Sequence, residues 1–107
     1  MSTCTWPLGN NETLEFTIYD PTTTTWNEVA GLYIFAYPTN DTHWTALYVG
    51  KADDFSDRIP SHERWPEAVQ LGATHVHALV VPLEANRDNW EQMLIRHLQP
   101  PMNQQFR

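Results

Sequence analysis

The sequence predicts a small α/β domain, because extended apolar runs precede and follow a polar stretch and give way to one long amphipathic helix. Residues 31–37 and 43–50 are rich in β-branched, aromatic and large apolar side chains, and Pro38-Thr39-Asn40-Asp41 between them supplies turn residues. That pattern is a hairpin. Residues 74–81 give a further strand, and from about 84 to 99 Trp90, Met93, Leu94 and Leu98 recur at helical spacing until Pro100-Pro101 stops the helix.

The remaining elements follow in order. Residues 14–19 alternate apolar and polar side chains, as a half-buried strand does, and Asp20-Pro21 with the threonines after it ends the run in a turn. Residues 1–29 are therefore expected to be an N-terminal extension that adds an edge strand to a domain spanning 30–107. After Gly50 the chain turns polar, and Asp53 or Asp54 can cap a short helical turn leading to Arg58. Pro60 breaks that turn and starts another. Residues 67–71 continue as helix until Gly72.

A chain of 107 residues is one domain by length. Its 41% hydrophobic content and five tryptophans indicate a folded globule rather than a disordered tail. Cys4, the single cysteine, cannot form an internal disulfide, and the start of the chain lacks the basic region of a signal peptide. No apolar run approaches the ~18 residues that a membrane span requires. A cytoplasmic protein is the expectation. The formal charge of −7 opposes long-range attraction to a polyanion, yet it is unevenly spread. Residues 1–50 carry five carboxylates and no lysine or arginine, whereas all six basic residues lie after position 50.

The most informative feature is a set of spaced residues. Gly31-Leu32-Tyr33 and Tyr48-Val49-Gly50 are followed by Arg58, ten residues after Tyr48, and by His62, fourteen after it. Glu91 then opens the run Glu91, Leu94, Ile95, Pro100, Asn103. Each piece alone is commonplace, and the combination resembles the GIY-YIG nuclease pattern position by position over about residues 30–104. The run 48–52 is especially similar to the N-terminal nuclease module of the bacterial excision-repair incision subunit. The resemblance implies a central three-stranded sheet flanked by helices, and a metal-dependent endonuclease acting on nucleic acid, with DNA the expected polymer and branched or flapped structures favoured over a long specific site.

Phosphodiester hydrolysis needs an activated water and relief of charge on the phosphate oxygens. On a helical wheel Glu91 falls at the core-facing edge, where an unpaired carboxylate is costly to desolvate unless a cation offsets it. Mg²⁺, or Mn²⁺, suits a site with one protein carboxylate. The alternative is that Glu91 pairs with Arg87 or Arg96. Tyr48 and Tyr33 are candidates for activating water, with Tyr48 favoured as the base by the resemblance, and a cross-strand aromatic pair is the alternative. Arg58 can grip a phosphate with two N–H groups, while Lys51 and Arg64 complete an expected basic rim around Glu91. His62 is expected to pass a proton or hold a phosphate oxygen near neutral pH. Gly31, Gly50 and Asn103 are assigned structural support. His75 and His77 share a strand face, and packing explains them better than a metal pair. The rival function is an acidic module that binds a protein through its N-terminal half, or mimics nucleic acid, on the same fold. A cleavage subunit that borrows nucleic-acid affinity from a partner would reconcile charge with motif.

Overall fold

Six consecutive residues, 31–36, are buried, so the strand that carries them has to be covered on both faces. The computed structural model describes residues 2–106. Its strands are β1 (Thr3–Pro7), β2 (Thr13–Tyr19), β3 (Gly31–Pro38), β4 (Trp44–Ala52) and β5 (His75–Val80). They form one sheet in the order β1-β2-β5-β3-β4, with every neighbouring pair antiparallel. The helices are α1 (Phe55–Arg58), α2 (Trp65–Gln70) and α3 (Glu84–Leu98), and a short 3-10 helix, Pro101–Phe106, follows.

The sheet thus has five strands where a central three, with one N-terminal edge strand added, were expected. Residues 13–19 are not an edge strand, because β2 bonds to β5 on one side and β1 on the other. Strand β1 escapes a reading of periodicity because it is five residues long and only Trp6 within it is fully buried. The turn that returns it to β2 is visible in the sequence as Gly9-Asn10-Asn11. Gly9 and Asn11 both take positive φ, 93° and 67°, which glycine and asparagine tolerate best.

Two hydrophobic layers sandwich the sheet. On one face Tyr33, Phe35, Val76 and Ala78 pack with Phe55 of α1, Ala68 of α2 and Met102. On the other, Leu32, Ile34, Ala36, Trp6 and Phe16 meet Leu94 of α3, with Trp90, Met93, Ile95 and Leu98 around it. Alternation along β3 assigns its residues to the two layers. Strand β4 breaks the rule at a bulge opposite Phe35 and Ala36, so that the consecutive residues Leu47 and Tyr48 both belong to the first layer. Leu47 fills the core there, which leaves Tyr48 at its margin.

Histidine 77 lies wholly buried between Trp6 and Trp44, at ring distances of 5.6 and 4.6 Å. Trp6 Nε1–H donates to its Nδ1 at 3.0 Å, so the neutral ring carries its proton on Nε2, which has no hydrogen-bond partner among the described residues. His75 also packs against Trp44, at 5.2 Å. The two histidines are packing groups, and no cluster of three or more metal-ligating side chains occurs among the described residues. No helix there is long and apolar enough to cross a membrane.

Burial holds the His77 imidazole down at about 4, and His62 is held at about 4 by the same cause. Because both pKa values are depressed below the unfolded value of ~6.5, protonation favours the unfolded chain. Stability is therefore present above that value and falls as the pH drops from ~6.5 towards 4. Urea unfolding across this range should show the decline, and His77→Phe should make it shallower even though Trp6 loses its acceptor. A stability profile flat over this range would contradict the burial of both rings as neutral groups.

Candidate active site

The site is built where β3 and β4 lie side by side. Tyr33 pairs with Gly50, and Phe35 with Tyr48. The Tyr33 ring lies so close over Gly50 that a Cβ there would sit 2.4 Å from Cζ, within the ring's own volume. Glycine is favoured at this position by contact, not by backbone conformation, because any side chain would have to displace the buried Tyr33 ring. Gly31 is equally constrained, since a Cβ would come 2.1 Å from the Leu79 carbonyl oxygen and 2.5 Å from Phe55 Cζ. Both glycines of the motif are therefore places where something passes too near for a side chain.

Tyr33 is 1% exposed and its hydroxyl lies 2.7 Å from Nε2 of His62. The direction of that hydrogen bond follows from the other ring nitrogen. His62 Nδ1 accepts from the backbone N–H of Arg64 at 3.0 Å, so a neutral ring must carry its proton on Nε2 and donate it to the Tyr33 oxygen. The Tyr33 O–H is then left to donate elsewhere. His62 is itself 3% exposed, ringed by Tyr33, Phe35 and Tyr48 at 5.0 to 5.5 Å. Burial first, and then the Arg58 charge, depress its pKa. This corrects the expectation from sequence: His62 neither titrates near neutral pH nor presents a nitrogen to a phosphate, because both nitrogens are engaged inside the fold. The turn begun by Pro60 is what folds it inward, with His62 N–H bonded to the Ile59 carbonyl.

Tyr48 differs from Tyr33 in access. It is half-buried, stacked on Phe35 at 5.5 Å, and its hydroxyl makes no hydrogen bond to any described residue. It lines an open cleft of about 680 Å³ together with Glu91, Gln92, Ile95, Arg96 and Asn103. Both tyrosines have pKa values raised by burial and lowered in part by Arg58, while Glu91 is near enough to raise both. The protein alone therefore keeps them protonated.

Glu91, midway along α3, is half-buried and makes no hydrogen bond or ion pair with any described residue. Desolvation raises its pKa, offset in part by Lys51 and reinforced by Asp88. Arg87, one expected partner, is instead buried and donates to the carbonyls of Val81 and Pro82 and to Asp53. A desolvated, unpartnered carboxylate in a cleft is the donor chemistry that a hard divalent cation takes with waters and phosphate oxygens, so the residues present fit Mg²⁺.

Asn103 holds the margin of the cleft. Its Oδ1 accepts from Val49 N–H at 2.8 Å and its Nδ2 donates to Val49 C=O at 3.0 Å, so one side chain occupies both backbone groups of β4 between Tyr48 and Gly50. It stands in for the missing neighbouring strand.

The basic rim is present but occupied. Arg58 grips Glu63 with two bonds, of 2.6 and 3.0 Å, and this pairing holds the Glu63 carboxyl down at about 2. Lys51 pairs with Asp88 at 2.6 Å. Arg64 bonds Glu67 and the Met102 carbonyl, with its guanidinium 5.5 Å from the Tyr48 ring centre. Glu63 and Asp88 were not singled out from sequence, although a carboxylate directly following His62 is the visible signal for the first.

Comparison with protein-family models gave no match, and comparison with curated proteins gave none either. Among solved structures the chain is similar to the GIY-YIG N-terminal endonuclease domain of UvrC from Thermotoga maritima. With the magnesium-bound form it shares 26% identity at a TM-score of 0.58, covering 73% of this chain and 86% of that one. With a tyrosine-to-phenylalanine point mutant bound to its catalytic divalent cation the identity is 28% and the TM-score 0.57, over the same shares. An asparagine-to-alanine mutant of that domain matches at 26% and 0.57, over 71% and 83%. In fold and in its spaced residues the chain is consistent with a GIY-YIG superfamily domain.

Replacing Gly50 by alanine tests the geometry of this site. The methyl group must push Tyr33 off its seat and stretch its bond to His62, at a cost of about 1–3 kcal/mol typical of overpacking. Urea unfolding should register that loss, whereas a variant as stable as the wild type would mean that the Tyr33 ring does not lie on Gly50.

Proposed function

We propose that this protein is a divalent-metal-dependent endonuclease that hydrolyses phosphodiester bonds of nucleic acid, with DNA as substrate and branched or flapped structures preferred. The observation that carries the reading is Glu91: a half-buried carboxylate whose side chain has no hydrogen-bond or ion-pair partner among the described residues, in one cleft with the Tyr48 hydroxyl, which has none there either. Similarity to a nuclease domain bound to magnesium supports it.

Tyr48 is the general base: its hydroxyl, without a partner among the described residues, opens on the cleft, and once it has given its own proton to solvent the phenolate takes the proton of the attacking water. Glu91 would hold the divalent cation, whose positive charge would lower the pKa of nearby hydroxyls and offset charge on the phosphate. Tyr33, whose oxygen accepts from His62, turns its own O–H outward and orients the water or Tyr48. His62 fixes Tyr33 and takes no part in proton transfer at neutral pH. Arg58 exchanges the Glu63 carboxylate for non-bridging phosphate oxygens, which present the same two-pronged acceptor geometry. Asn103 keeps Tyr48 in place through Val49.

A second reading has its own support. Lys51, Arg58 and Arg64 are all paired with carboxylates, so little free positive charge remains to attract a polyanion. A cleavage subunit that gains nucleic-acid affinity from a protein partner, engaged through the acidic N-terminal half, fits that charge pattern. The lone Cys4 suits either form working in the cytoplasm.

Incubation of the protein with single-stranded, duplex and flapped DNA and RNA, with Mg²⁺, Mn²⁺ or chelator, tests the function. Metal-dependent cleavage of flapped DNA is expected, and Tyr48→Phe and Arg58→Ala should each slow it by ~10²-fold or more while changing the melting temperature little. Cleavage by Tyr48→Phe at the wild-type rate would remove Tyr48 from the chemistry, and no cutting of any substrate would overturn the reading.

A further inference from the structure

Charge on this protein is used sparingly, and one base stands apart. Of the five basic residues among those described, Lys51, Arg58, Arg64 and Arg87 each hold a carboxylate. Arg96 is exposed and its guanidinium makes no hydrogen bond or ion pair with a described residue, although its backbone carbonyl accepts from Gln99 Nε2; it lines the same cleft as Glu91 and Tyr48. Its place follows from helix geometry. Glu91, Gln92, Ile95 and Arg96 lie at spacings of one, four and five residues, which is one broad stripe along α3 facing the cleft, and Gln99, the cap of the helix, lines the same cleft. Five residues separate Glu91 from Arg96, a rise of about 7.5 Å along the axis.

The other bases flank Tyr48 from the opposite layer. Arg64 lies against the Tyr48 ring and Arg58 ends α1, both on the face of the sheet that carries Tyr33, whereas α3 packs on the other face. A strand that crosses the exposed margin of β4 therefore meets Arg58 and Arg64 on one side of Tyr48 and Arg96 on the other. We propose that Arg96 is a substrate-contacting residue that binds a backbone phosphate next to the scissile one, on the α3 side of the cleft. This rests on the nuclease reading above and adds to it the path of the strand. Because Arg96 has no carboxylate to surrender, it is the base that contributes to affinity without an exchange, whereas Arg58 must give up Glu63 before it meets a phosphate.

Position near the C-terminal end of α3 offers a different reason for a cation there, since the helix dipole favours one. The test separates the two. Binding of fluorescein-labelled flapped DNA is measured against salt with Ca²⁺ in place of Mg²⁺, for the wild type, Arg96→Gln and Arg96→Lys, alongside melting temperatures and Mg²⁺-dependent cleavage. The expected result is a shallow wild-type salt dependence that falls by about one counterion in Arg96→Gln. Affinity at low salt should drop several-fold in that variant, with the rate at saturating DNA within about twofold, and Arg96→Lys should recover most of the affinity. An Arg96→Gln protein with wild-type affinity and salt slope would overturn the proposal while leaving the nuclease reading standing. So would a loss confined to the melting temperature, which is the signature of the dipole, or a loss confined to the rate. A wild type that neither binds nor cuts nucleic acid would overturn both.

Discussion

The seat of Tyr33 on Gly50 is the contact around which the rest of the site is arranged. It forces glycine at one position, brings β3 and β4 into one register, and presents the Tyr33 oxygen to His62. His62 in turn takes its orientation from the backbone of Arg64, and Arg64 leans on Tyr48 and bonds the Met102 carbonyl. From Met102 the chain runs straight into Asn103, which returns to Val49 beside Tyr48. Strand, turn, helix and C-terminal segment thus close a ring of short bonds, most of them buried. In such a ring no member is satisfied unless its neighbours are in place, which is how a fold of this size holds a fixed side-chain geometry without a large core.

Charge is the second constraint. A protein with net charge −7 that is to meet a polyanion has to hide its own repulsion or use it. Here the carboxylates sit on the bases, so that Glu63 and Asp88 occupy the groups a phosphate would take. These pairs are partly or largely exposed and contribute little to stability. Their effect falls on affinity, because an incoming phosphate gains only the difference between two similar ion pairs.

Much of the core was legible in the sequence for a physical reason. Strands β3 and β4 carry long apolar runs, and α3 carries a clear stripe, so burial on the two sides of the sheet imposes strong patterns. Asp54 as the cap of α1 and Pro60 as the break after it follow from local chemistry that needs no tertiary contact. What escaped depends on distant partners. Strand β1 is identified by its pairing with β2 more than by its own five residues. The neutral state of His62 depends on an amide two residues away and on three aromatic rings from other elements, and periodicity reports neither. The placing of Arg58 on Glu63 depends on a turn whose path Pro60 announces but does not specify.

Glu91 is the group whose position has no structural explanation, and Mg²⁺-dependent stability tests its role most directly. Thermal unfolding of the wild type and Glu91→Gln is followed with and without Mg²⁺. Since burial raises the Glu91 pKa, its charge is a penalty at neutral pH that disappears as the pH falls below the ordinary glutamate range. The metal-free variant should therefore melt at the same temperature as the wild type or slightly above it. Added Mg²⁺ should raise the melting temperature of the wild type, by about 2.7 kcal/mol of stabilisation at a hundredfold excess over Kd, and should leave the variant unmoved. A variant that melts lower without metal and responds to Mg²⁺ as the wild type does would show Glu91 to be a structural residue, with the cation bound elsewhere or not at all.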